Sequence, residues 1–231
     1  MLNHVVSYSL AMAVLLVAVA GCVAAPSRLP TDQEPESTDT PQSEVDVPAP
    51  SVDADIPAPS VGVGATCGRR RWPVKTLTDR DAARVNFAPI PASVEQLRAL
   101  PVPRTLPQNS RNSPVELTTY SLDARILAFK LEDDRDIHVK ISALEDTSLT
   151  MIVEFPDAKC SGAIASARAA DIRSARAALV GRFGEPSAQR FRDLSGVGTF
   201  TGVGFFDELH GQNGVAPNGI EIHPVLAFSA N

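Results

Sequence analysis

Apolar and polar positions alternate along the second half of this chain, and the alternation predicts five strands with one helix among them. Over residues 117–131 the apolar side chains Tyr120, Leu122, Ala124 and Ile126 share one parity, and Leu127, Phe129 and Leu131 take the other. A parity switch inside one strand predicts a bulge or strong coiling. Residues 132–135 form a polar turn. In the next strand Ile137, Val139 and Ile141 face inward, while Asp136, His138 and Lys140 face outward. Leu149, Met151, Val153 and Phe155 repeat the alternation in a third strand that ends at Pro156. Residues 162–183 then turn Ala-rich, with Ile164, Ile172, Ala175, Leu179 and Phe183 near helical spacing and Gly184 and Pro186 as a stop. Residues 199–206 and 220–228 are the last two strands. Gly202 and Gly204 inside the first of these read as relief for curvature.

Residues 65–114 lack that order. Thr78 with Asp81, and Ser93 with Gln96, have the spacing of helix-capping boxes, so short helices are expected there. Pro101, Pro103, Pro107 and Pro114 then interrupt regular structure, and the whole stretch reads as an irregular, helix-containing N-terminal extension packed on the main core. The triplet Arg69, Arg70 and Arg71 beside Trp72 reads as a solvated face, with contact to phosphate or a lipid headgroup as the alternative.

Residues 22–64 are rich in Pro, Ser and acidic side chains and contain almost no large apolar ones, so they cannot offset the entropy of ordering. The sextet beginning at Val47 recurs as Ile56-Pro-Ala-Pro-Ser-Val61, which favours an extended tether reaching on the order of 130 Å at most. Charge follows the same division. The net charge is -6, yet residues 22–64 hold eight acidic side chains against Arg28 alone, which leaves the rest of the chain near neutral. Aromatics are 5% of the chain. With neither a basic platform nor stacking aromatics, binding to nucleic acid is disfavoured.

The apolar run at residues 10–20 has the length of a signal-peptide core and is well short of the roughly 20 residues that span a bilayer. It ends in Val19-Ala20-Gly21-Cys22, which resembles the lipobox of bacterial lipoproteins. The resemblance implies that residues 1–21 are removed as a signal peptide and that Cys22 carries fatty acyl chains of the palmitate kind. It implies membrane attachment in the bacterial cell envelope, facing the periplasm or the exterior. The departure is the front end, Met1-Leu2-Asn3-His4, which lacks the usual Lys or Arg; a plain signal peptide or an uncleaved anchor is the alternative. With Cys22 acylated, Cys67 and Cys160 remain as an even pair in an oxidising compartment and are expected to form a disulfide. Free thiols and metal ligation are the other readings, and the lack of a CxxC spacing argues against zinc.

The order of strand, strand, strand, helix, strand, strand over residues 115–231 resembles the OB-fold. The fold expected is therefore mainly β with one helix (α+β), an OB-like five-stranded Greek-key barrel behind the N-terminal extension. In that fold the ligand surface lies on the second and third strands and on the loops joining strands one to two and four to five. Those loops would be residues 131–136 and 207–219, the most polar of the domain. The stretches KLEDDRDIH and GVGFFDELHGQNGVAPNGIEIHPVL also resemble blocks in a family of secreted or lipid-anchored bacterial proteins to which no activity is assigned.

The candidate ligand-binding residues are Asp134, Asp136, His138, Asp207, His210, Gln212, Asn218, Glu221 and His223. Carboxylate and imidazole together suit a divalent transition ion, and alternate residues of a strand project to one face. A structural polar network and contacts to an organic ligand are the competing readings; there Pro217-Asn218-Gly219 is a turn feeding the last strand. Asp134-Arg135-Asp136-Ile137 resembles the strand entry of thermonuclease-type OB-fold nucleases, in which acidic residues hold calcium. Ile152 and Cys160 stand near the positions where that family places an Arg and a Glu, so the phosphoryl charge lacks its partner. No serine-nucleophile, phosphate-loop or dinucleotide motif appears. The expectation is a non-catalytic, envelope-tethered binding or scaffolding domain. A divalent-metal-dependent phosphodiester hydrolase and a purely structural lipoprotein domain are the alternatives. Its partner is an envelope protein or a small ligand, no organic cofactor is implied, and oligomeric state does not follow from the sequence.

Overall fold

The computed structural model describes residues 67–209 and 211–230. Residues 1–66, with Cys22, and residues His210 and Asn231 lie outside the described residues. Seven strands form one sheet, and five of them close into a barrel: β2 (Thr118–Leu131), β3 (Ile137–Ser142), β4 (Thr150–Phe155), β7 (Ile220–Ala230) and β6 (Val197–Phe206), which returns to β2. The β4–β7 pair is parallel and the other barrel pairs are antiparallel.

Closure depends on the long first strand. Residues 119–125 of β2 pair with β6 and residues 125–131 pair with β3, so one strand serves both sides of the seam. The register shifts between Ile126 and Ala128, where the apolar parity of the sequence switches. On the opposite side β6 and β7 shift register around Gly202 and Gly204. A Cβ at Gly202 would stand 2.4 Å from the Pro224 carbonyl oxygen, and one at Gly204 would stand 2.7 Å from that of Val115. Only glycine permits so close a backbone approach, and the expected relief for curvature is found there.

The barrel interior is filled by Phe129, Val139, Val153, Phe155, Phe200 and Ile222 among others. Helix α4 (Ala169–Phe183) adds Ala175 and Leu179 to this core. The sequence predicted one helix over 162–183. The structure has α3 (Ser161–Ala165) and α4, separated at Ser166, whose backbone is extended. Ile164, expected on the apolar face, is consequently 63% exposed.

The extension contributes α1 (Trp72–Lys75), β1 (Asn86–Pro91), which pairs parallel with β2, and α2 (Val94–Arg98). A two-residue strand, β5 (Arg192–Asp193), also joins β2. At α2 the capping box is complete, with Ser93 accepting from the Gln96 amide and Gln96 accepting from that of Ser93. The Thr78–Asp81 pair yields only a 3-10 turn at Ala82–Arg84, without a side-chain cap. Leu77, Val85, Ala163, Ile172, Val203 and Leu226 form a second small core between the extension and the barrel wall. That cover changes β3. Asp136 and His138, expected to face outward into solvent, are 0% and 4% exposed.

Two buried ion pairs and one covalent bond fix the extension. Cys67 and Cys160 form the expected disulfide across a sequence separation of 93. The Arg71 guanidinium donates to Glu116 Oε1 at 2.7 Å and Oε2 at 2.8 Å, and to the carbonyls of Pro107, Ser110 and Phe206. It also stacks 4.7 Å above the Phe205 ring. Arg71 is therefore a core residue, unlike the solvated face expected of its triplet. Arg111 and Asp79 make the second pair at 2.7 Å.

Candidate functional site

Alternate residues on three adjacent strands, on the parity that points away from the barrel core, build a buried polar cluster. His138 on β3 stands directly opposite Glu154 on β4, and Ile152 opposite Glu221 on β7. His223 follows two residues after Glu221 on the same parity. Asp136 immediately precedes β3, and Lys75 enters from the end of α1. His138 Nδ1 is 2.7 Å from Glu154 Oε1, and Lys75 Nζ is 3.5 Å from Glu154 Oε2. The two ring nitrogens of His223 stand 2.8 Å from Glu154 Oε2 and 3.3 Å from Asp136 Oδ2. Asp136, Glu154 and His223 each offer one donor atom within 4.8 Å of the others.

Burial and neighbouring charge divide these groups into two kinds. Burial works to raise Glu154, but the Lys75 ammonium, His223 and the His138 bond hold it well below the usual carboxylate range. Glu221 goes the other way: burial first, then the charges of Glu154 and Asp207, push its carboxyl well above that range. Asp134 is raised by burial and by Asp136. Burial disfavours the charged forms of Lys75 and His223, yet the Glu154 carboxylate, foremost among the nearby acids, raises both.

A cavity of about 360 Å³ opens onto this cluster. Its walls come from the β2–β3 loop through Glu132, Asp133 and Asp134, from His138 and Glu154 on the strands, and from Asp207 and Gln212 in the β6–β7 loop. Arg69, Arg70 and Lys75 supply the opposite sign from the extension. Arg69 pairs with Asp133 at 3.5 Å, and Arg70 pairs with Glu208, so the extension ties to both loops at the rim.

Of the residues singled out from the sequence, Asp134, His138, Asp207 and Gln212 line the cavity, and Asp136, Glu221 and His223 are buried. Asn218 serves another purpose: its Nδ2 donates to the carbonyls of Leu97 and Leu100 and its Oδ1 accepts from Ile220, which clamps α2 to the turn before β7. Glu154 and Lys75 were not singled out. Glu154 could have been reached by placing β4 beside β3 in register, since it occupies the polar parity opposite His138; Lys75 sits in a segment whose sequence gives no periodic signal. No protein-family model, curated protein or solved structure matches the chain.

Proposed function

We propose that this chain is a non-catalytic binding domain of the cell envelope, held on a lipid-anchored tether, which captures a small polar or charged ligand in the cavity beside β3 and β4. The observation that carries the reading is the convergence of two polar loops and a mixed-charge strand face on one solvent-reaching cavity. A domain built for packing alone gains nothing from gathering buried charge in one place, since hydrophobic residues of similar volume often serve stability as well or better.

The barrel is taken to be of the OB kind. Support comes from the strand order β2–β3–β4–β7–β6–β2 and the parallel β4–β7 pair. It comes also from the cavity, which sits on the second and third barrel strands and on the two loops that this fold uses for ligands. For the address, the lipobox-like Val19–Cys22 stretch and the Cys67–Cys160 disulfide, a bond of oxidising compartments, point the same way. Among the described residues no helix is long and apolar enough to cross a membrane.

Hydrogen exchange tests the capture. Adding the small-molecule fraction of an envelope extract is expected to slow exchange at residues 131–136 and 207–213, and Asp134→Lys at the cavity wall is expected to abolish the slowing. No slowing at either segment would overturn the reading. Mass spectrometry of the mature N-terminus tests the address: an acylated Cys22 is expected, and a chain that starts elsewhere removes the anchor.

A further inference from the structure

We propose that Asp136, Glu154 and His223 bind one divalent transition cation of the manganese(II) kind on the floor of the cavity, where it anchors the captured ligand; this rests on the reading of that cavity as the ligand surface. Their donor atoms already lie within 4.8 Å of one another. Atoms that share a cation at about 2.0–2.6 Å stand no more than twice that distance apart.

The carboxylates are arranged as ligands held from behind. Asp136 Oδ1 accepts from the Asp157 amide at 3.1 Å, and Glu154 Oε1 is held by His138 Nδ1 at 2.7 Å. The other oxygens, Asp136 Oδ2 and Glu154 Oε2, are buried and have no hydrogen-bond partner among the described residues. Partners on one oxygen that orient the other towards a centre are what a bound metal requires of its surroundings.

His223 supplies the decisive geometry. Its nitrogens stand 2.8 Å and 3.3 Å from those same oxygens, yet neither makes a hydrogen bond. A ring N–H bridging two carboxylates would point along the N···O lines. The two nitrogens face different carboxylates, so one of them would ligate the cation while the other stays beside the second carboxylate. All three side chains are at least nine-tenths buried. Lys75 pairs with Glu154 Oε2 at 3.5 Å, an ion pair that the cation would have to share or displace.

Two carboxylates and an imidazole favour manganese, iron or zinc over magnesium and calcium, which prefer all-oxygen shells. Tetrahedral zinc would need its ligand atoms about 3.4 Å apart. A six-coordinate shell with bonds of about 2.2 Å sets ligand atoms about 3.1 Å apart when adjacent and about 4.4 Å when opposite, so the three side chains, within 4.8 Å of one another, would draw in slightly around the ion.

The full chain, stripped with EDTA and dialysed, is titrated with Mn2+ by calorimetry and electron paramagnetic resonance, with Zn2+, Ca2+ and Mg2+ in parallel. One Mn2+ per chain is expected, weakened at least about tenfold by Glu154→Gln and by His223→Gln. Spin-echo spectra of the unsubstituted chain are expected to show nitrogen coupling from one imidazole, a readout that stands even if a variant fails to fold. No transition-ion binding at millimolar concentration, or bound Mn2+ without nitrogen coupling, overturns the site. Exchange protection by the envelope extract in an EDTA-stripped chain that binds no ion would sink the cation and leave ligand capture standing; a bound ion without that protection supports the cation and sinks capture.

Discussion

Replacing Arg71 with methionine is expected to lower stability by about 3–5 kcal/mol, measured by urea unfolding. The guanidinium spends all five of its N–H donors on two carboxylate oxygens and three carbonyls. Its loss strands Glu116, a side chain with no exposure that also accepts from the amides of Asn112 and Phe206. An unpaired buried carboxylate, rather than the value of the pair itself, sets the size of the effect. Arg71→Met combined with Glu116→Leu is therefore expected to recover much of the loss, because no charge is then left unpaired. A cost below about 1 kcal/mol for the single substitution would contradict the buried-charge account.

The double substitution of Cys67 and Cys160 by serine is expected to cost about 4–5 kcal/mol, since the bond closes a loop of 93 residues in the unfolded chain. The local outcome separates this from a general loosening. The extension should release first, so Lys75 should become reactive to acetylation while the amides of β2, β3 and β6 keep their exchange protection. If Lys75 stays as protected as in the oxidised chain, the disulfide does not hold the cluster's cover in place.

How much of this was legible depended on where the physical cause lay. The barrel strands were readable because alternation is a local consequence of burying one face, as with Ile137, Val139 and Ile141. Even the bulge of β2 was present as the switch from Ile126 to Leu127. The disulfide followed from counting cysteines. The buried state of Asp136, His138 and His223 was not readable, since it arises from the extension lying over the polar face of β3, β4 and β7, a tertiary contact with no periodic trace. Glu154 was missed for the same reason: in isolation it is an ordinary polar residue between Val153 and Phe155, and only the register opposite His138 gives it a role. Arg71 was misread because a run of three arginines is usually solvated, and a left-handed backbone at φ 57 turns this one inward. The break at Ser166 went unseen because alanine on both sides sustains helical propensity through it.

Cys67, the first described residue, is already covalently joined to Cys160. Tension applied to the chain from its N-terminal side would therefore enter the domain at that bond and pass straight to the start of α3. Residues 68–159, with Arg71 and Lys75 among them, lie within the loop that the bond closes and are bypassed by the load. A domain pulled in this way could not be peeled open from the extension inwards, and the load would fall instead on the segment after Cys160, which includes Glu221 and His223 of the charged cluster.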